Sequence, residues 1–134
     1  MSQARHRPRY DSPMTNAIPD LDTLKLRIRE FAHAREWERY HTPKNLAMAM
    51  IVEAAELVEQ FQWLTPEESG ALSREKHEAV CHEVADVLIY LTRLADLLDI
   101  DLLAAACAKL DINARKYPVD KARGNAEKYS SVSE

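Results

Sequence analysis

The sequence predicts an all-α fold, a four-helix protomer forming one helical bundle, and three observations carry that prediction. Two glycines among 134 residues, against abundant Ala, Leu, Glu, Lys and Arg, favour helix over strand. Apolar residues recur at intervals of three and four through several long stretches. Asp, Ser or Thr stands where these stretches begin, as helix caps do. The length suits one domain with a core.

Residues 1–19 hold Arg5, His6, Arg7 and Arg9 among prolines without periodicity, and read as a flexible tail. Asp20 or Asp22 caps a first helix on which Leu21, Leu24, Ile28 and Phe31 recur, running to about Trp37. Pro43 suits the first turn of a second helix, expected to reach about Trp63. Trp37 and His41 then lie at a helix–loop–helix corner, where an indole either plugs the core or offers a face to a base. Thr65-Pro-Glu-Glu68 is a capping-box pattern, and Ser69-Gly70 breaks the short turn it starts. Ser73 caps a long third helix ending near Leu98. Asp99-Ile-Asp101 turns the chain, and Asp101 caps a fourth helix that ends before Pro118. The domain is therefore expected over 20–118, with an irregular C-terminal tail over 119–134.

Two short runs stand out from this framework. Glu53 and Glu56, then Glu83 and Asp86, are carboxylate pairs three residues apart inside otherwise apolar helices. Such neighbours are about 5–6 Å apart between Cβ atoms. On a helical wheel Glu53 and Glu56 fall in a narrow gap beside the apolar arc, and Glu83 and Asp86 share a stripe with Tyr90 and Arg93. A lone Glu-x-x-Glu is an ordinary solvated face. Two such claws beside a core repel and lose hydration, which is unfavourable without a cation. Oxygen-only ligands on helices suit a hard cation such as Mg²⁺. Lys109, Asn113 and Lys116 form a polar stripe on the fourth helix that can hold phosphate oxygens but, taken alone, is more simply a solvated face.

Several function classes are disfavoured. A net charge of −4 does not support binding to nucleic acid polymers. No apolar run has the length of a membrane span, and the N-terminus has no secretion-signal core. Cys81 and Cys107 lack metal-ligand spacing and read as reduced, partly buried thiols, which suits a cytoplasmic protein. There is no Gly-rich phosphate loop, no Ser/His/Asp order and no zinc spacing.

Taken together, these residues resemble the MazG-like all-α nucleotide pyrophosphohydrolases, and within them the dCTP pyrophosphatase branch. The likeness rests on Glu53-x-x-Glu56 and Glu83-x-x-Asp86, and on the stretch from Phe31 through Trp37 to His41-x-Pro-x-Asn45-Leu46. Phe61-Gln-Trp63, Asp86-Val-Leu-Ile-Tyr-Leu91, Lys109-x-Asp111-x-Asn113 and Tyr117-Pro-Val119 extend it, as do Arg123-Gly124 and Lys128-Tyr129. It covers roughly residues 21–129. The resemblance implies dimers or dimers of dimers, Mg²⁺ on Glu53, Glu56, Glu83 and Asp86, and hydrolysis of a nucleoside triphosphate to monophosphate and pyrophosphate. It further implies base and sugar recognition by Trp37 and Trp63, with Tyr90 and Asn113 near the nucleotide, and His41 and Tyr117 count among the substrate-binding residues. Lys109, Lys116 and Lys121 become phosphate ligands. One of the claw acids, or Glu59, takes the proton of the attacking water. Two positions depart from the branch pattern: Ile28 stands where a histidine can occur, and His82 where an acid often precedes the second claw. Rival readings are an all-α dUTPase, a phosphoribosyl-ATP pyrophosphohydrolase, and a non-catalytic helical interaction module.

Overall fold

The computed structural model describes residues 20–126, and among them the chain forms helices and turns without a strand. Four long helices, α1 (Leu21–His33), α2 (Pro43–Glu59), α4 (Arg74–Leu97) and α5 (Leu102–Lys116), alternate with two single-turn helices, α3 (Pro66–Ser69) and α6 (Val119–Ala122). The fold is all-α, as the composition and periodicity predict. The arginine-rich N-terminal segment and Lys128-Tyr129 lie outside the described residues.

The helix starts follow local chemistry. The Asp20 carboxylate accepts from the Thr23 N–H at 2.7 Å, and that bond holds its pKa below the usual range. Thr42 accepts from Asn45 N–H at 3.2 Å, with Pro43 at the first helical position. Thr65 and Glu68 exchange both capping-box bonds. Ser73 and Asp101 accept from Lys76 and Ala104 N–H groups at 3.2 and 2.9 Å.

The ends of α1 and α2 differ from expectation, each for a local reason, while α4 and α5 end near Leu98 and before Pro118 as expected. α1 stops at His33 rather than near Trp37, because Glu36 turns left-handed at φ 53° and Trp37 N–H folds back to Ala32 C=O at 3.0 Å. This six-to-one closure is usually made with Gly in the left-handed place. α4 ends the same way, with Asp99 at φ 54° and Ile100 N–H on Ala95 C=O at 2.9 Å. α2 stops at Glu59 because the chain tightens into three-residue hydrogen bonds, Phe61 N–H to Val58 C=O and Leu64 N–H to Phe61 C=O, both 2.9 Å. Trp63 therefore leaves the helix and lies in a turn.

Two compact units divide the chain, with the boundary after Leu94, inside the last turn of α4. In the first unit Ile28, Ala32 and Leu46 are buried, and Leu46 is its largest fully buried side chain. Ile28, standing where the branch can carry His, is thus a core residue. Thr92 and Arg93 of α4 are buried as well. Ala95 is the buried apolar residue of the second unit. Both cysteines are free, Cys81 half-buried as expected and Cys107 exposed instead.

Candidate active site

The first unit brings α2 and α4 together at the claws. One carboxylate oxygen from each of Glu53, Glu56 and Glu83 lies within 4.8 Å of the others, a spacing that fits a shared cation. Asp86 stands outside that group of three but acts on it through its charge. Glu59, the last residue of α2, is exposed and is not one of the three.

The electrostatics of the group are those of crowded acids. Burial raises the Glu53 pKa first, followed by its hydrogen bond with Glu56 and the charges of Glu56, Asp86 and Glu83. Burial likewise leads for Glu83, reinforced by Glu56 and Asp86, while neighbouring His82 pulls the other way. His82 itself is exposed. Tyr90, one turn beyond Asp86, also has a raised pKa, chiefly from burial and then from the Glu53 and Asp86 charges. The phenol therefore belongs to the same electrostatic neighbourhood as the claws, as its place on their stripe suggests.

A second cluster occupies the corner between α1 and α2. The Trp37 indole meets Phe31 edge-on at 5.7 Å and His41 edge-on at 6.0 Å, between ring centroids. Arg35 lies over Phe31 at 3.5 Å, and Asn45 Nδ2 donates to the Tyr40 carbonyl at 3.0 Å, tying the corner to α2. Trp37 is 41% exposed and Trp63 is 87% exposed, so neither is a core plug. Arg93 reaches this corner from α4, donating from Nε to His41 Nδ1 at 3.3 Å. Sequence reasoning gave Arg93 no role there. The one available signal was its place on the Glu83–Asp86–Tyr90 stripe.

The second unit carries the remaining candidates. Lys109, Asn113 and Lys116 lie on α5, Tyr117 caps that helix by donating its N–H to the Asn113 carbonyl at 2.9 Å, and Lys121 lies on α6. Asn113 is half-buried and the three lysines are exposed.

An all-α chain whose two longest helices bring their acids into a three-carboxylate group defines a class, the helical proteins with an acidic cluster between two helices. Residues 48–132 match the MazG-like family, a span that includes both claws, and the chain belongs to that family. The dCTP pyrophosphatase 1 of Bos taurus is 42% identical over 116 residues, 85% of this chain and 69% of the bovine protein. That of Homo sapiens is 41% identical over the same length, covering 68% of the human protein. The crystal structure of a pyrophosphatase from Archaeoglobus fulgidus DSM 4304 superposes with a TM-score of 0.70 at 42% identity, covering 73% of this chain and 92% of that one.

The raised carboxyl pKa values make a stability prediction. A carboxyl whose folded pKa exceeds its unfolded value adds stability below the unfolded pKa, and that stability is lost as pH rises through the folded value. For Glu53 the loss begins near the ordinary 4.5 and continues above it. Metal-free Glu53→Gln should therefore melt above wild type by a margin that widens as pH rises from 4.5 toward neutrality. Thermal melts at several pH values in chelator measure it, and a margin independent of pH would remove the repulsion from the account.

Proposed function

We propose that the chain is a Mg²⁺-dependent nucleoside triphosphate pyrophosphohydrolase that converts dCTP, or a modified dCTP, to the monophosphate and pyrophosphate. It would thereby clear unwanted deoxynucleotides. The observation that carries this reading is a three-carboxylate group in a chain 42% and 41% identical to proteins named dCTP pyrophosphatase 1.

The roles follow from charge. Glu53, Glu56, Glu83 and Asp86 supply only oxygen ligands, the donor set that a hard divalent cation takes. Those four acids would hold Mg²⁺, which would offset their charge and supply polarisation of the α-phosphoryl group. One claw acid, or Glu59, accepts the proton of the attacking water. Lys109, Lys116 and Lys121 supply the positive charge that a triphosphate needs and the claws lack. Trp37, His41 and Trp63 contact base and sugar, with Tyr90, Asn113 and Tyr117 completing the nucleotide contacts. A pyrophosphate-release assay on dCTP, 5-methyl-dCTP, dUTP and phosphoribosyl-ATP tests the whole. Turnover should be fastest on a deoxycytidine nucleotide, stop in excess chelator, and vanish in Glu56→Ala with its helical circular dichroism intact. Persistence in chelator overturns the metal assignment, and preference for dUTP or phosphoribosyl-ATP overturns the substrate.

The exposed Trp63 indole allows a sharper test. Stacking on a base contributes roughly 1–3 kcal/mol and acts alike on ground and transition states. Trp63→Ala should raise KM for dCTP about tenfold or more while kcat changes little. Steady-state kinetics with an unchanged KM would take Trp63 out of the pocket.

The protomer in this reading works as a homodimer or a dimer of dimers. Support comes from the apolar residues it leaves open on the first claw helix, where Met48, Ile51, Val52 and Val58 are between 55% and 63% exposed. Apolar surface of that kind is usually covered by a partner. Sedimentation at micromolar concentration should give a dimer or tetramer, and a stable monomer would refute it.

A further inference from the structure

Arg93 is only 4% exposed, and the direction of its hydrogen bond to His41 has a chemical consequence for that ring. A guanidinium has donors and no acceptor. Its Nε–H points at His41 Nδ1 across 3.3 Å, so Nδ1 must be the accepting, unprotonated nitrogen. In a neutral ring the proton then resides on Nε2. A carboxylate in the place of Arg93 would have fixed the opposite tautomer and favoured the charged ring.

The surroundings favour the neutral ring. Burial leads in lowering the His41 pKa below 6.5, and the Arg93 charge adds to it, while Glu38 opposes. Glu38 is itself engaged by His33, whose Nδ1 lies 2.6 Å from its carboxylate. Trp37 presents no charge to the ring, only an edge-to-face contact.

We propose that Arg93 is a positioning residue for nucleotide binding, which holds His41 as the neutral Nε2–H tautomer and so makes it a one-way hydrogen-bond donor. Its partner is an acceptor atom of the bound nucleoside, a carbonyl oxygen, ring nitrogen or sugar oxygen; an amino group is refused. The proposal rests on the reading above that His41 touches the nucleotide. It also assigns His41 no part in proton transfer, because its basic nitrogen faces Arg93.

Long-range ¹H–¹⁵N correlation spectra of the full chain test this directly, with the His41 signals assigned by their loss in His41→Gln. Wild type at pH 7 should show His41 neutral with its proton on Nε2 and a pKa below 6.5. Arg93→Met, checked for folding by its melt, should raise that pKa and mix the tautomers. It should also raise KM for dCTP roughly 3–10-fold, the worth of one hydrogen bond, with kcat held. Arg93→Lys, which keeps a charged donor, should restore both readouts in part. An imidazolium or an Nδ1–H ring in wild type overturns the proposal even if Arg93→Met does not fold. So does an unchanged KM in a folded Arg93→Met protein. A wild type without nucleotide turnover instead overturns the functional reading on which the proposal stands, and the two failures are separate measurements.

Discussion

The constraint on which the rest of the first unit depends is the repulsion among its acids. Three carboxylates within 4.8 Å, with Asp86 adding its charge, are an arrangement that solvent alone would disperse. They stay together because the backbone leaves them little choice. α2 and α4 are 17 and 24 residues long, and a helix of that length holds neighbours three apart on one side of its axis. The strain appears where it should, in the raised pKa values of Glu53 and Glu83, both of which favour the proton that a cation would replace. Repulsion of this kind is a cost that folding imposes, and any positive charge held among the acids would lower it.

The α1–α2 corner meets a different demand, rigidity in a segment with no helix of its own. It is met by short-range contacts in series. The six-to-one bond from Trp37 closes α1, Asn45 holds the Tyr40 carbonyl, and Thr42 caps α2 within the same few residues. Phe31, Trp37 and His41 stack edge to face along it. Each contact is modest. Together they leave the corner few alternative conformations, which is what a flat indole needs if it is to meet a base without losing entropy on binding.

How much of this was legible in the sequence depends on the range of the interaction. Helix starts were legible because a cap and its partner lie three residues apart, and Asp20, Ser73 and Asp101 act as caps where the pattern placed them. The claws were legible for the same reason. Helix ends were legible only in part: α4 and α5 stop where expected, but α1 and α2 stop short of Trp37 and Trp63. The usual marker is a glycine in the left-handed position, and with two glycines in the chain Glu36 and Asp99 occupy that position instead. The Arg93–His41 bond was least legible of all, since 52 residues separate its partners and nothing local about an arginine in an acidic stripe says that it turns inward.

That stripe is where the two halves of the first unit meet. Glu83, Asp86, Tyr90 and Arg93 follow at intervals of three and four along one side of α4. At 1.5 Å per residue the stretch from Glu83 to Arg93 is about 15 Å long. One end serves the carboxylate group, the other the aromatic corner, and Tyr90 between them feels the charge of Glu53 and Asp86. A single rigid helix thus sets the separation between the carboxylate group and the aromatic corner. Loops could not hold that separation, because their length would vary with each rearrangement of the chain. The buried guanidinium is then best understood as part of the same device: its burial is unfavourable unless it is hydrogen-bonded, and among its donors the Nε–H is committed to the ring of His41. The cost of burying that charge makes the link between helix and corner hard to break, so the register of α4 passes to the corner through it.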